Sequence, residues 1–514
     1  MEYLRKMLDY AQERRRMLVI LSGILLAVLL LYNGFWGLST GVIRNWDESL
    51  YGISACEMMD SGNYILHTLD YIPDYWNLKP VLAFYGNLAG FLVFGKNIFG
   101  LRFFSVVAYL LTAAVIFLFL KKEAGLTAAF GACFGFAVAP PNWVHCFVTG
   151  DPDSWLILFV FSSFVCLWHS LRNGWLLSPA AFFLSLAFLT KSFHAGPYCL
   201  FTLIWVAVHW KHYRWYHLLA AVPAGLFPAG IWAGFRFHAD GWNFFRAMVE
   251  VDLLGRVKDG TSDHGASPWY TYLDRLNHHL LSIPILLSSV AVFAGRYIKG
   301  GSWLPEKMKG LYCWSLVYFW FVILLYSCCL VKLEWYIWPC MPFLAVPVGL
   351  HCRLALDWLR ESVRSGSPDR RKVLTAVLVL LAFPVWFGIG EGKAIRFKVK
   401  RHRQQDILLW TSGSRDYAGQ CFCSVDPAGN FYPPEKSLIL VMRFLSCRYI
   451  LNANIRDFQN SKDSVYLLCT FKDVSAAEAL RKAAEDFARR NSLVLVRCED
   501  ETALYRKGPV QVKK

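Results

Sequence analysis

Two adjacent carboxylates, Asp47 and Glu48 in Asn45-Trp46-Asp47-Glu48-Ser49-Leu50-Tyr51, follow a long apolar run and are the first acidic side chains after Glu13. Further along stand Lys79 in Asn77-Leu78-Lys79-Pro80, Asp151 and Asp153 in Thr149-Gly150-Asp151-Pro152-Asp153, Lys191 in Leu189-Thr190-Lys191, then His264 and Lys332. Most lie at the end of an apolar run, where an ionisable group is costly unless it is paired or used. Carboxylates and lysines together suit transfer of a group from a lipid phosphate. A carboxylate can take the proton of an acceptor hydroxyl as general base. Cations can stabilise the charge that builds on the departing phosphate oxygen. A lipid tail on the donor would explain why such groups gather beside apolar segments. A plain structural use stands beside each residue: Asp47 and Glu48 suit the start of a helix, Asp-Pro suits a turn, and a lysine can snorkel to an interface.

The elements that must position these residues are membrane spans. Of 514 residues, 56% are hydrophobic, 16% aromatic and only 18% charged, too apolar a balance for an ordinary soluble enzyme. Bilayer-length apolar runs recur from residue 17 to residue 390, each long enough for a hydrocarbon core of roughly 30 Å. The first run is read as a span, since it is long, is followed by more spans and shows no small-residue cleavage site. The net charge of +16 lies mostly in short loops between apolar runs, where Lys and Arg hold cytoplasmic ends and meet anionic headgroups. No basic patch interleaved with aromatics is seen, so nucleic acid is not an expected partner. Of the 15 cysteines, Cys166, Cys199, Cys313, Cys328, Cys329 and Cys340 are among those inside spans, where they act as small apolar residues. Cys421 and Cys423 form C-x-C with no partner pair at zinc spacing.

Arg5, Lys6, Arg14, Arg15 and Arg16 precede the first span at 17–38 and place the N-terminus in the cytoplasm. The first outer loop is then 39–79, with an amphipathic stretch at 49–59 that could lie along the interface. The run 81–94 is left open between a short span, a re-entrant piece and an interfacial helix. Spans follow at 101–120, 126–139, 155–171, 176–190, 195–210, 218–235, 280–294, 311–330, 336–350 and 373–390, with a second outer loop at 236–275. The total is about eleven or more spans. This alternation keeps the basic loops on one side and brings Asp47, Glu48, Lys79, Asp151, Asp153, Lys191, His264 and Lys332 to the outer side. Glu57, Asp60, Asp70 and Asp74 read as the solvated side of the first outer loop.

Residues 1–390 thus form an α-helical polytopic membrane domain, and 391–514 a small α/β domain outside the cytoplasm. In that domain 437–442, 464–470 and 492–496 have strand character. Residues 475–490 form an amphipathic helix with Ala476, Leu480, Ala483, Ala484 and Phe487 on one stripe. No Gly-rich phosphate loop or fixed-period repeat is present there.

Taken in order, Trp46-Asp47-Glu48-x-x-Tyr51, Lys79-Pro80, Thr149-Gly150-Asp151-Pro152-Asp153, Leu189-Thr190-Lys191 and Lys332-Leu333-x-x-Tyr336-x-x-Pro339 resemble the family of protein O-mannosyltransferases and lipid A aminoarabinose transferases. The resemblance covers roughly the first ten spans. It implies the GT-C membrane fold, a polyprenyl-phosphate-linked sugar donor, and an active site on the outer face of the cytoplasmic membrane. By position it implies Asp47 as the general base and Lys79, Lys191 and Lys332 as donor-phosphate contacts. Asp153, with Asp151, is implied as the second acidic motif, these two and Glu48 as catalytic residues beside Asp47, and Tyr51, His264 and Tyr336 as further pocket residues. The expected reaction is a single inverting displacement onto lipid A or a related envelope glycolipid. A protein acceptor is the alternative within the fold, and a transporter or flippase the alternative from another class. Leu50 stands where many relatives have Arg, and Leu78 where many have an acidic or polar residue before Lys-Pro. No cofactor is assigned, and a divalent metal and the identity of the sugar are left open.

Overall fold

The computed structural model describes residues 6, 10, 13–39, 43–44, 46–139, 146–259, 267–279, 281–285, 306–364, 370–399, 419–432, 436–450, 453–461, 464–471, 477–499 and 502–507. They fall into two compact units interleaved along the chain. Met1–Trp36, Asp74–Ala83 and Ser105–Lys398 make the larger, and Gly37–Pro73, Phe84–Phe104 and Val399–Lys514 the smaller.

Among the described residues, eight helices are long and apolar enough to cross a bilayer: Arg15–Phe35, Ile98–Ala137, Asp153–Ser170, Gly174–Val208, Trp215–Asp240, Met308–Ser327, Glu334–Val363 and Lys372–Lys393. Two of them each carry two of the expected spans. Ile98–Ala137 breaks at Gly125, whose φ of 82° is open to glycine and strained for other residues. The Arg353 guanidinium donates to the Ala124 carbonyl at this break. Gly174–Val208 breaks at Ser192–Ala195, a single 3-10 turn. The expected span at 280–294 lies mostly outside the described residues. The run at 81–94 is a helix, Leu82–Phe94, whose 13 residues reach only about 20 Å.

The core of the larger unit is aromatic. Tyr318 stacks on Phe343 with ring centres 4.0 Å apart, and Phe164 meets Phe343 edge-on at 5.0 Å. Lipid is as apolar as these side chains, so close packing rather than burial from water must hold the helices together. Small residues let backbones approach: a Cβ on Gly349 would sit 2.2 Å from the Ala128 carbonyl oxygen.

The smaller unit has a five-stranded sheet. With β1 Thr68–Leu69 and β2 Ile72–Pro73 forming a separate hairpin, the sheet comprises β3 Cys421–Val425, β4 Arg448–Tyr449, β5 Ser464–Thr470, β6 Leu493–Glu499 and β7 Thr502–Lys507, in the order β4-β3-β5-β7-β6. Strand β3 runs parallel to β4 and β5, and β7 runs antiparallel to β5 and β6. Helix Ala477–Asn491 buries Leu480, Ala484 and Phe487 with Tyr505 of β7. The helix expected at 475–490 and the strand at 464–470 are present, and β6 contains most of the strand expected at 492–496.

Several expectations are corrected. Residues 437–442, read as a strand, lie in helix Lys436–Phe444, with Ser437 to Arg443 all buried. A short continuous apolar run does not distinguish a strand from a buried helical turn. This helix packs on helix Asp47–Ser61, where Gly52 makes room: a Cβ there would lie 2.7 Å from Leu440 Cδ2. Helix Asp47–Ser61 is therefore buried on nearly every side from Glu48 to Met58, and not laid along an interface by one apolar face.

Glu57 and Asp74 also depart from the expected solvated role, at 0% and 6% exposure. Glu57 accepts from Arg443 at 3.1 Å, from the Thr68 hydroxyl at 2.6 Å and from the Tyr71 backbone N–H at 3.0 Å. Arg443 also reaches Asp70 at 3.0 Å and lies over the Tyr71 ring. Breaking a buried ion pair by removing one partner strands the other charge, at about 3–5 kcal/mol. Arg443→Met is therefore expected to lower the melting temperature of the purified protein in detergent substantially. An unchanged melting temperature would show that this network does not hold the smaller unit together.

Candidate active site

Local sequence explains how Asp153 meets Lys191. Helices Asp153–Ser170 and Leu177–Lys191 are joined by a short link that includes a 3-10 turn, Gly174–Leu176. Such a link makes them antiparallel neighbours. Their similar lengths bring the first residue of one beside the last residue of the other. Asp153 sits at a positive helix N-terminus and Lys191 at a negative C-terminus, so each charge also suits its own helix. The Lys191 ammonium donates to both Asp153 oxygens, at 2.6 and 2.5 Å, with the side chains 4% and 2% exposed.

Lys79 comes from a loop built of tight turns. Asp74 Oδ1 accepts from the backbone N–H groups of Trp76 at 2.8 Å and Asn77 at 3.2 Å. The N–H of Lys79 donates to the Asn77 carbonyl at 2.7 Å. Pro80 then disfavours helical geometry at Lys79. The Lys79 ammonium meets Asp252 Oδ2 at 2.5 Å, with side chains 6% and 3% exposed. The Ser192 hydroxyl donates to the same oxygen at 3.2 Å.

The segment that brings Asp252 is anchored by a buried arginine. Arg236 donates to Asp240 at 2.7 Å and lies 3.9 Å over the Phe244 ring. Tyr75, on the Lys79 loop, faces the same Asp240; burial first and that carboxylate second hold its hydroxyl above the ordinary tyrosine value. The tyrosine thus stays protonated at neutral pH and can donate. One network therefore ties down both the Lys79 loop and the approach to Asp252.

Four segments of the larger unit thus bring together Lys79, Asp252, Ser192, Lys191 and Asp153, two ammonium groups balanced by two carboxylates. Asn77 Nδ2 and Asp74 Oδ2, on the Lys79 loop, are buried and lack a hydrogen-bond partner. Buried polar atoms of that kind call for a ligand or solvent partner. The arrangement can bind an anion through its lysine ammonium groups.

The other expected site residues divide. Asp151 is buried and accepts from the Thr149 hydroxyl. Lys332 donates to the backbone carbonyls of Ser267 and Cys329 and so joins two loops. Tyr336 is buried with its ring 4.5 Å from that of His194. In the smaller unit Asp47 is the first residue of its helix and half-buried. Glu48 is wholly buried and engages Arg102 through both oxygens, at 2.6 and 3.0 Å, while the Arg44 N–H donates to it at 2.8 Å. Arg102 also donates to the Leu38 carbonyl at 3.0 Å. Glu48 thereby fixes the start of the helix that presents Asp47. Tyr51 is buried with its ring 5.5 Å from that of Phe84. His264 lies outside the described residues.

Sequence reasoning missed Asp252, Ser192 and Arg102. Asp252 carried one weak signal, an acid among Val249, Val251, Leu253 and Leu254. For a metal, the residue before Lys79 is Leu78, which cannot be a ligand, and among the described residues no three His, Cys, Asp or Glu side chains gather in a metal-binding group.

Comparison with known proteins adds independent evidence. Residues 78–232 match the family described as dolichyl-phosphate-mannose-protein mannosyltransferase. The chain is 27% identical over 66% of its length to an undecaprenyl phosphate-alpha-4-amino-4-deoxy-L-arabinose arabinosyl transferase of Proteus mirabilis. It is 28% identical over 62% of its length to one from Shewanella sediminis. These alignments span 60% and 58% of the relatives' own lengths. In fold it is similar to the crystal structure of ArnT from Cupriavidus metallidurans bound to undecaprenyl phosphate, with a TM-score of 0.65 at 14% identity, over 95% of this chain and 99% of that one. The chain thus matches that mannosyltransferase family over residues 78–232 and, over nearly all of its length, is similar in fold to the ArnT structure.

Proposed function

We propose that the protein transfers a sugar from a polyprenyl-phosphate donor to an acceptor at the outer face of the cytoplasmic membrane. The observation that carries this reading is the buried set of Lys79, Lys191, Asp153 and Asp252, the first three of which lie in the motifs that carry the resemblance. Lipid A or a related envelope glycolipid is the first choice of acceptor, supported by the names of the relatives. A protein acceptor is the second reading, favoured by the description of the matched family. The N-terminus lies in the cytoplasm and the segment after the last span outside it, as the basic loops require. The boundary near residue 390 separates the span-bearing part from a domain that meets acceptor or supports the first outer loop.

The reaction is one displacement. Asp47 takes the proton of the acceptor hydroxyl, the acceptor oxygen attacks the anomeric carbon, and the bond from that carbon to the phosphate oxygen breaks with inversion. The charge that collects on the leaving phosphate is met by Lys79, with Lys191 as the nearby second cation. Asp153 holds Lys191 at the helix end and keeps the site close to neutral. The Asp47 assignment rests on its place in the motif and at the head of its helix.

Two outcomes check these roles. Asp47→Asn is expected to abolish sugar transfer in a purified protein that still inserts and melts as wild type, and near-normal turnover would remove Asp47 as base. Lys191→Met alone strands Asp153 and is expected to destabilise by about 3–5 kcal/mol, whereas Asp153→Leu with Lys191→Met restores most of the loss. The double variant should melt near wild type in detergent yet transfer no sugar. Full transfer would make the pair a structural staple only. Mass spectrometry of envelope lipids from cells with and without the gene then tests the acceptor: an amino-sugar or other glycosyl adduct on lipid A is expected, and unchanged lipids with altered protein glycosylation would favour the second reading.

A further inference from the structure

The lysine assigned to the donor phosphate is already holding an anion. Lys79 Nζ lies 2.5 Å from Asp252 Oδ2, and Ser192 donates to the same oxygen. A carboxylate offers an ammonium group the same charge-assisted contact that a phosphate oxygen does. Asp252 therefore occupies the chemical position that the proposed donor phosphate would take.

Both anions cannot share Lys79 at low dielectric. A phosphate brought against a buried carboxylate within a few ångströms meets like-charge repulsion that water does not screen. Either Asp252 withdraws when phosphate arrives, or phosphate never reaches Lys79. The local backbone favours withdrawal. Asp252 lies in Met248–Asp259, wound as a π-helix, a rare form met mostly as single-turn bulges and often at functional sites. Ser192 has φ 55° and ψ −132°, a conformation that non-glycine residues seldom hold without strain. The contact is thus assembled from two uncommon pieces of backbone.

We propose that Asp252 is the resident counter-anion of the donor-phosphate site: its carboxylate, steadied by Ser192, holds Lys79 in the donor-free protein and yields the ammonium to the phosphate when donor binds. The proposal rests on the assignment of Lys79 to the donor phosphate. Asp252 is a positioning residue in this scheme. It keeps the ammonium charged, buried and aimed without solvent, and sets the affinity that the phosphate must exceed. Donor affinity in the wild type is therefore a difference between two anions competing for one cation.

The test is the affinity of the full-length purified protein in detergent for polyprenyl phosphate, read by calorimetry for wild type, Asp252→Asn, Ser192→Ala and Lys79→Ala. Asparagine keeps the shape and the acceptor for Ser192 but removes the competing charge. Asp252→Asn is expected to bind at least about tenfold more tightly, with a lower KM for the sugar donor. Ser192→Ala, which only loosens the carboxylate, should tighten binding by a smaller factor. A residue that merely braced the fold would weaken binding when replaced. Equal or weaker binding by folded Asp252→Asn overturns the proposal. Should that variant fail to fold, equal or weaker binding by Ser192→Ala does so. Failure of the underlying reading looks different: wild type that binds no polyprenyl phosphate, or binding that Lys79→Ala leaves intact, removes the donor-phosphate assignment itself.

Discussion

A charge buried beside lipid must bring its opposite with it, because an isolated ion at low dielectric is destabilised far more than any helix contact can offset. The larger unit obeys this constraint at the site. Lys79 stands with Asp252 and Lys191 with Asp153, each pair within hydrogen-bond distance and almost wholly enclosed. The helix hairpin of residues 153–191 supplies one pair, and the turn-built loop before Pro80 with the segment after Ala247 supplies the other. Buried pairs of this kind are weak contributors to net stability. The work proposed for them here, anion binding beside a membrane, needs a desolvated cation.

The smaller unit solves a related problem for Asp47. Its helix is pinned by two arginines, Arg102 through Glu48 near the N-terminal end and Arg443 through Glu57 near the C-terminal end. Arg443 lies in the C-terminal third of the chain, so that part is bound up with presenting the first-loop carboxylate and is more than an appended module. Gly52 permits the close packing that the arrangement requires. Glu48 thereby gains a structural use, while Asp47, half-buried at the helix start, keeps the exposure that its proposed role as base needs.

Legibility in the sequence followed the range of the interaction. The spans were readable because hydropathy is local, and with them the shared side of Asp153 and Lys191, though not their pairing. Lys79 was readable from its motif and from Pro80. Asp252 was not, since its partner is 173 positions away and no periodic pattern records such a pairing. Glu57 and Arg443 are 386 positions apart, and without that contact Glu57 looks like an ordinary loop acid. Residues 437–442 misled for a different reason. An apolar run of six with no polar phase fits a buried strand or a buried helix, and only packing against helix Asp47–Ser61 decides between them.

The account comes down to whether this chain breaks a sugar–phosphate bond on a lipid carrier. Purified protein in detergent, given a polyprenyl-phosphate sugar and a lipid A acceptor, measures that directly through the polyprenyl phosphate released. Release that requires acceptor and matches the sugar transferred is the predicted result. Donor that stays intact under conditions where the protein binds it would contradict a transferase and leave the transporter alternative standing.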